Sequence, residues 1–289
     1  MVSTALVTGA GYGVGADIAW SLAGRGHDLV LCGRGREDLE RVAARVAAEF
    51  AVAVRVLPAD LTVAEDLERV AAAAGAVDVL VNNAGAGLGV SFDRSSWADE
   101  ARMLALNVAA PARLVHAALP GMLDRGFGRV LNVCSVAALA PVWQGTSYGA
   151  SKAFSLALTE SLARSGRLRA SPVSMTALVL GHTVSRFHEL AGIAPSPPWL
   201  TMDSAFVAER AVRALHRRRP PVVCVPGFRY RVIAALLGHL PHVLLRSPSV
   251  VDDFTVVHAV GDGPSASGGR EREDGVVSAE AGGGRQGQG

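Results

Sequence analysis

A single lysine, Lys152, stands among 28 basic side chains, and it lies four residues after a tyrosine in Tyr148-Gly149-Ala150-Ser151-Lys152. Elsewhere arginine carries the positive charge. A bias toward Ala, Gly and Arg explains the missing lysines but not the one that is kept. Its ammonium is a compact charge with three rotatable donors, which a planar guanidinium does not reproduce. Positions i and i+4 share a helix face, so Lys152 can set its charge beneath the Tyr148 phenol. A nearby cation favours phenolate and lowers a pKa that is about 10 when unperturbed. The pair thus predicts a tyrosine working as general acid and base. The spacing alone is a weak signal, because Tyr and Lys on a helix surface are common. The surrounding residues decide.

The elements that must position this pair alternate regularly. Apolar runs at 5–8, 29–32, 52–57, 77–81, 129–133, 173–180 and 222–225 read as buried strands. Between them lie amphipathic stretches at 13–25, 37–50, 64–74, 97–124, 147–165 and 204–217. Near-continuous apolar strands alternating with helices predict an α/β fold, a doubly wound parallel sheet of about seven strands with helices on both faces. Such sheets bind ligands outside the carboxyl ends of the strands, near the topological switch point. Residues 181–203, with Pro195, Pro197, Pro198 and several bulky apolar side chains, read as a substrate lid over that edge. The domain is expected to span 1–228, and 229–246 to form a helical extension. For residues 230–246 the reading is a packed terminal helix, the alternative a membrane-surface or partner-binding helix. Residues 261–289, rich in Gly, Ser and charge, read as disordered.

Four further motifs fall at strand carboxyl ends. The first strand runs into Thr8-Gly9-Ala10-Gly11-Tyr12-Gly13-Val14-Gly15 and then a helical pattern. Glycines there let the backbone turn tightly and approach a pyrophosphate, whose charge the helix N-terminus stabilises. A nucleotide-triphosphate loop would need Gly-Lys-Ser/Thr, and no lysine is available. A methyl-donor cofactor would suit a similar turn, but nothing downstream supports it. Strand two ends in Cys32-Gly33-Arg34, which places a cation where an acidic residue would bind the ribose hydroxyls of NAD. Asp28 is too early, at the strand's other end. NADP(H) is therefore favoured over NAD(H), the bland reading being an arginine that simply opens the next helix. Asp60-Leu61 and Asn82-Asn83-Ala84-Gly85 line the edge where adenine and ribose would rest.

Composition excludes other classes. Half of the 289 residues are hydrophobic, but no run approaches the roughly 18–20 consecutive apolar residues of a membrane span. A net charge of +2 gives no general reason to expect nucleic acid, and the basic run His216-Arg217-Arg218-Arg219 reads as a solvated helix end. Cys32, Cys134 and Cys224 have no metal-ligand spacing, the eight histidines form no zinc motif, and no metal is expected. The N-terminus enters a strand-like segment without a basic region or cleavage site, so a cytoplasmic protein with reduced thiols is expected.

Taken in order, these residues resemble the short-chain dehydrogenase/reductase family, over roughly residues 3–228. The family's glycine motif T-G-x-x-x-G-x-G matches Thr8 through Gly15, and its N-N-A-G matches Asn82–Gly85. Its serine, 13 residues before the tyrosine, falls on Ser135, its Y-x-x-x-K on Tyr148 and Lys152, and its helical asparagine on Asn107. The resemblance implies a single-domain Rossmann-type enzyme transferring hydride between nicotinamide and a carbonyl or carbinol carbon. Ser135 would bond the substrate oxygen, Tyr148 would protonate it, and Lys152 would lower the tyrosine's pKa while bonding the nicotinamide ribose. Asn107 would hold a relay water. Gly9, Tyr12, Gly13, Val14, Gly15, Arg34, Asp60, Leu61, Asn83, Ala84 and Gly85 would contact the dinucleotide. The family's P-G-x-x-x-T becomes Leu180-Gly181-His182-Thr183-Val184-Ser185, so Thr183 and Ser185 would serve the nicotinamide side without the proline's fixed φ. A small carbonyl or alcohol substrate is expected, its pocket walled by Val142, Trp143, Phe187, Leu190, Ile193, Trp199 and Leu200, or else those side chains merely pack the lid. His182 and His188 are either substrate contacts or structural. The resemblance also implies a homodimer or homotetramer. The runner-up is an NAD-dependent alcohol dehydrogenase. A non-catalytic dinucleotide-binding scaffold would have lost the Tyr, Lys or Ser, and none is lost.

Overall fold

A computed structural model describes residues 3–139, 147–184 and 197–239. Seven parallel strands form one sheet: β1 (Thr4–Thr8), β2 (Asp28–Gly33), β3 (Val54–Pro58), β4 (Val79–Asn82), β5 (Arg129–Ser135), β6 (Ser174–Leu180) and β7 (Val223–Cys224). Their spatial order is β3-β2-β1-β4-β5-β6-β7. The winding reverses between β1 and β4, which pair at Ala5↔Val79, Leu6↔Leu80 and Val7↔Val81. Loops leaving two neighbouring strands in opposite directions open a crevice at their carboxyl ends.

The helices are α1 (Gly13–Ala23), α2 (Arg36–Glu49), α3 (Ala64–Ala74), α4 (Trp97–Leu104), α5 (Ala110–Asp124), α6 (Ser147–Ala163), α7 (Gly166–Arg169), α8 (Ser204–Leu215) and α9 (Phe228–His239). Their starts obey simple chemistry. Ser96 caps α4 by accepting from the Asp99 N–H at 3.1 Å, and Asp203 caps α8 by accepting from Phe206 at 2.9 Å. Glu37 and Asp38 open α2, and Glu65 and Asp66 open α3, where carboxylates meet the positive end of the helix dipole.

Two apolar cores flank the sheet. Alternate strand residues such as Val7, Leu31, Val81 and Leu131 pack against α1, α2 and α8, and Leu6, Val30, Leu80 and Val130 pack against α3 and α5. Between α4 and α5 a π turn, Ala105–Ala109, keeps the helical path unbroken over 28 residues, Trp97–Asp124. By length and composition this run is apolar enough to cross a membrane, with mean hydropathy 1.2 in its best window. The run is not continuously apolar, since Asp99, Glu100, Arg102, Asn107 and Arg113 interrupt it. Here Met103, Ala110, Leu114, Val115, Ala118 and Met122 are buried inside the protein.

The terminal helix begins at Phe228, and its Tyr230 is buried against Gly181, just beyond β6. The expected lid is described only at its two stems, which meet at a Thr183↔Met202 bridge. Residues 240–246 of the extension and the tail at 261–289 lie outside the described residues. Cys32 and Cys134 are buried thiols in β2 and β5, while Cys224, in the short edge strand β7, is half-buried. The exposed run Arg217–Arg219 follows the end of α8.

Leu131, at the centre of β5, is wholly buried. Truncation to Ala should cost about 2–5 kcal/mol through lost contacts and a residual cavity. Denaturant unfolding should report that loss as a lower midpoint with an unchanged slope.

Candidate active site

The glycine turn after β1 is built for close approach. Gly9 and Gly13 have φ of 65° and 56°, which L side chains rarely adopt. At Gly15 an added Cβ would stand 2.2 Å from the Gly9 carbonyl oxygen and 2.4 Å from Asn83 Nδ2. Thr8 and Asn83 tie this turn to β4. The Thr8 hydroxyl donates to Val81 O (3.2 Å) and accepts from the N–H groups of Asn83 (3.0 Å) and Ala84 (3.1 Å). Asn83 Nδ2 donates to the carbonyls of Thr8 (3.0 Å) and Gly9 (3.1 Å). Asn83 therefore shapes the turn with both its side-chain amide and its backbone N–H. α1 follows directly, with no acidic residue in its first turn and Val14 buried. This bare N-terminus, cradled by backbone that a Cβ would obstruct, fits a pyrophosphate.

At the end of β2, Arg34 is exposed, and its charge reaches Asp60. Burial raises the Asp60 carboxyl, but hydrogen bonds from Thr62 and the charges of Arg102 and Arg34 outweigh it and hold the group below the usual range. Asp60 accepts from Thr62 N (3.0 Å), Thr62 Oγ1 (2.7 Å) and Arg102 Nη2 (2.9 Å). Leu61 is buried in the core, so its side chain is a packing element. Asp28 accepts from Ala53 N at the far end of the strand. One carboxylate went unread in the sequence. Asp38, in the first turn of α2, lies 3.0 Å from the place of a Cβ on Gly11 and is ion-paired with Arg41. Its only signal was a helix-opening acid, which usually serves the dipole.

The pair on α6 is held from beneath. Lys152 is buried, and its Nζ donates to Val133 O at 3.1 Å and stands 5.8 Å from the centre of the Tyr148 ring. Gly85 makes room for it, since a Cβ there would come within 3.1 Å of Nζ and 3.2 Å of Asn107 Oδ1. Tyr148 is half-buried and hydrogen-bonded to the Ser135 side chain at the end of β5. Burial pushes its phenol up to about 12, with the Ser135 bond pulling the other way. The expectation that Lys152 lowers this pKa is thereby corrected. Burial also lowers the ammonium's own pKa, and the ammonium is spent on a carbonyl, so desolvation dominates.

Asn107, in the π turn, is almost fully buried. Its Oδ1 accepts from Ala86 N (2.9 Å), while its Nδ2 donates to Ala86 O (2.8 Å) and Ser151 Oγ (3.0 Å). One lone pair of Oδ1 remains for a relay water. Thr183 is buried and donates to Gly181 O at 3.1 Å. Ser185 lies outside the described residues, as do Val142, Trp143, Phe187, His188, Leu190 and Ile193. Of the expected apolar wall, Trp199 is exposed and Leu200 half-buried. His182 meets Thr201 Oγ1 through Nδ1 at 3.2 Å. Among the described residues no three His, Cys, Asp or Glu side chains converge on a metal position.

A stripe of hydroxyls on α6 was also missed. Ser147, Ser151, Ser155 and Thr159 recur every fourth residue, and each is engaged. Ser147 bonds the buried Glu100, and Ser151 donates to Tyr148 O (2.7 Å). Ser155 donates to Asn107 O (3.2 Å), and Thr159 accepts from Asn132 (2.8 Å), which in turn accepts from Asn82 (2.9 Å). The spacing was legible; the partners, on other elements, were not.

A sequence profile described as short chain dehydrogenase matches residues 3–189. The chain belongs to this family. An uncharacterized oxidoreductase of Staphylococcus saprophyticus is 30% identical over 217 residues, covering 74% of this chain and 91% of that protein. Among solved structures, a short-chain dehydrogenase from Sphingobium yanoikuyae in complex with NADPH superposes with a TM-score of 0.76 at 32% identity, covering 85% and 96% of the two chains. The bulky-bulky ketone specific alcohol dehydrogenase from Comamonas testosteroni gives 0.70 at 29% identity, covering 85% and 94%. The protein is an NAD(P)-dependent short-chain dehydrogenase/reductase.

Gly15→Ala should abolish dinucleotide binding, because its Cβ would overlap the Gly9 carbonyl, which is backbone, as well as the Asn83 amide that holds the turn. Titration by nicotinamide fluorescence checks this, with thermal melting to show that the fold survives.

Proposed function

We propose that this short-chain dehydrogenase reduces a lipophilic ketone with NADPH, using Ser135, Tyr148, Lys152 and Asn107. The observation that carries the reading is the hydrogen bond joining Ser135 to Tyr148 at the carboxyl end of β5, with Lys152 Nζ beneath the phenol ring. Gly9, Tyr12, Gly13, Val14 and Gly15 would hold the pyrophosphate, and Arg34 a 2′-phosphate. Asp60, the Leu61 backbone and Asn83–Gly85 would flank adenine and ribose, and Thr183 and Ser185 the nicotinamide side. When bound, the cofactor supplies the hydride.

The protein's own residues handle the oxygen. As negative charge builds there, Ser135 donates a preorganised hydrogen bond and Tyr148 transfers its proton. A phenol near 12 still protonates an alkoxide, which is far more basic, so a raised pKa suits reduction. Lys152 and Asn107, which face each other across the space left by Gly85, would return a proton toward Tyr148 by way of water. The lipophilic substrate class is supported by Trp199 and Leu200, on the segment that Met202 bridges to Thr183, and by the bulky-ketone specificity named for the Comamonas relative. Exposed Trp97 and Phe154, on α4 and α6, support assembly as a homodimer or homotetramer. Asp38 beside Gly11 favours a second reading, an NAD-dependent alcohol dehydrogenase, because a carboxylate there suits free ribose hydroxyls.

Three outcomes test this. Tyr148→Phe should cut turnover about 10²–10⁴-fold while NADPH titrates as in wild type; a wild-type rate across a ketone panel would refute the assignment. Arg34→Ala should weaken NADPH and leave NADH unchanged, measured as paired dissociation constants, whereas equal effects favour the second reading. The pH profile follows from the raised phenol. Below its pKa Tyr148 keeps its proton, so ketone reduction should be flat through neutrality. Alcohol oxidation needs phenolate and should climb steadily from about pH 7 to about pH 10. Initial rates in both directions measure the contrast.

A further inference from the structure

Tyr230, near the start of α9, is buried against the segment that leaves β6. A Cβ on Gly181 would stand 1.9 Å from its Cζ and 2.0 Å from its Cε1, so the ring occupies the space that a side chain at 181 would take. The hydroxyl bridges two strands of backbone. It accepts from the His182 N–H at 2.9 Å and donates to Leu200 O at 2.7 Å. Around it, Met202 N donates to His182 O (2.9 Å), Val184 N donates to Met202 O (3.0 Å), and Arg229 Nη1 donates to Trp199 O (2.7 Å). Burial pushes the Tyr230 phenol above the ordinary tyrosine range, with the His182 bond opposing, so it stays a donor at neutral pH. Leu180 supplies no fixed φ to set the direction of this backbone.

We propose that Tyr230 is a positioning residue, whose ring on Gly181 and hydroxyl on His182 and Leu200 hold Gly181–Thr183 in the path that presents Thr183 to the nicotinamide half of the dinucleotide. α9 is then part of the binding apparatus rather than an appendage. The inference rests on the reading that Thr183 faces the nicotinamide, and the experiment separates the two.

Full-length wild type, Tyr230→Phe and Thr183→Val are titrated with NADPH and with 2′-phospho-ADP-ribose, which lacks the nicotinamide, and melted in parallel. Tyr230→Phe keeps the ring and removes one hydroxyl, so NADPH should bind about three- to tenfold more weakly. The truncated ligand should bind as in wild type, and Thr183→Val should show the same selective loss. If Thr183→Val weakens NADPH but Tyr230→Phe binds both ligands normally, the Tyr230 proposal is overturned and the Thr183 reading stands. If Tyr230→Phe weakens both ligands equally, Tyr230 is only a structural support and the proposal is likewise overturned. If Thr183→Val binds both normally, the Thr183 reading falls and the proposal with it. A variant too unstable to titrate leaves a wild-type measurement: the His182 amide should exchange with deuterium at least about tenfold more slowly than an unprotected amide. Exchange at the unprotected rate would overturn the proposal without any substitution.

Discussion

The geometry of the site depends on polar groups buried between α6 and the sheet. A hydroxyl or amide taken out of water must find a partner, and one left without costs about 1–3 kcal/mol. Along one face of α6 four hydroxyls meet that requirement through Glu100, Asn107 and Asn132, and Asn132 passes it to Asn82 on β4. An apolar interface would let the helix roll or slide at small cost. This one fixes its rotation, because turning the helix by one residue would strand the whole stripe. Tyr148 and Lys152 inherit their positions from that lock, and Ser135 meets the phenol because β5 is bound into the same network.

The opposite half of the site is governed by backbone rather than side chains. Thr8 and Asn83 bind the ends of β1 and β4 to each other just where the winding reverses, and the glycines leave the space between them open. One half of the crevice is therefore shaped by what fills it and the other by what is left out. Both arise at strand ends, where a parallel sheet leaves its last peptide groups without partners.

Much of this was legible in the residues. Strand and helix alternation follows from burial on both faces of a parallel sheet, and glycine spacing reads directly as a turn, because only local backbone is involved. The Tyr148–Lys152 pair was legible for the same reason, both members lying on one helix. What escaped depended on contacts between distant segments. Asp38 looks like a helix-opening acid until α2 folds against Gly11. The direction of the Tyr148 shift was misjudged because the cation is visible in sequence while the desolvation around the phenol is not. Tyr230 meets Gly181 across nearly fifty residues, and no local pattern announces it.

The π turn at Ala105–Ala109 gives this helix a phase as well as a position. Its wider loop, closed by i→i+5 bonds, lets α4 and α5 present faces that an unbroken α-helix could not align together. Removing a single residue there would swing Asn107 by about 100° relative to one flank and take its amide away from Ala86 and Ser151. Changes in chain length upstream of Ser96 would carry no such rotation. The segment that leads into α4 is thus free to grow or shrink while the helix it enters keeps a fixed residue count.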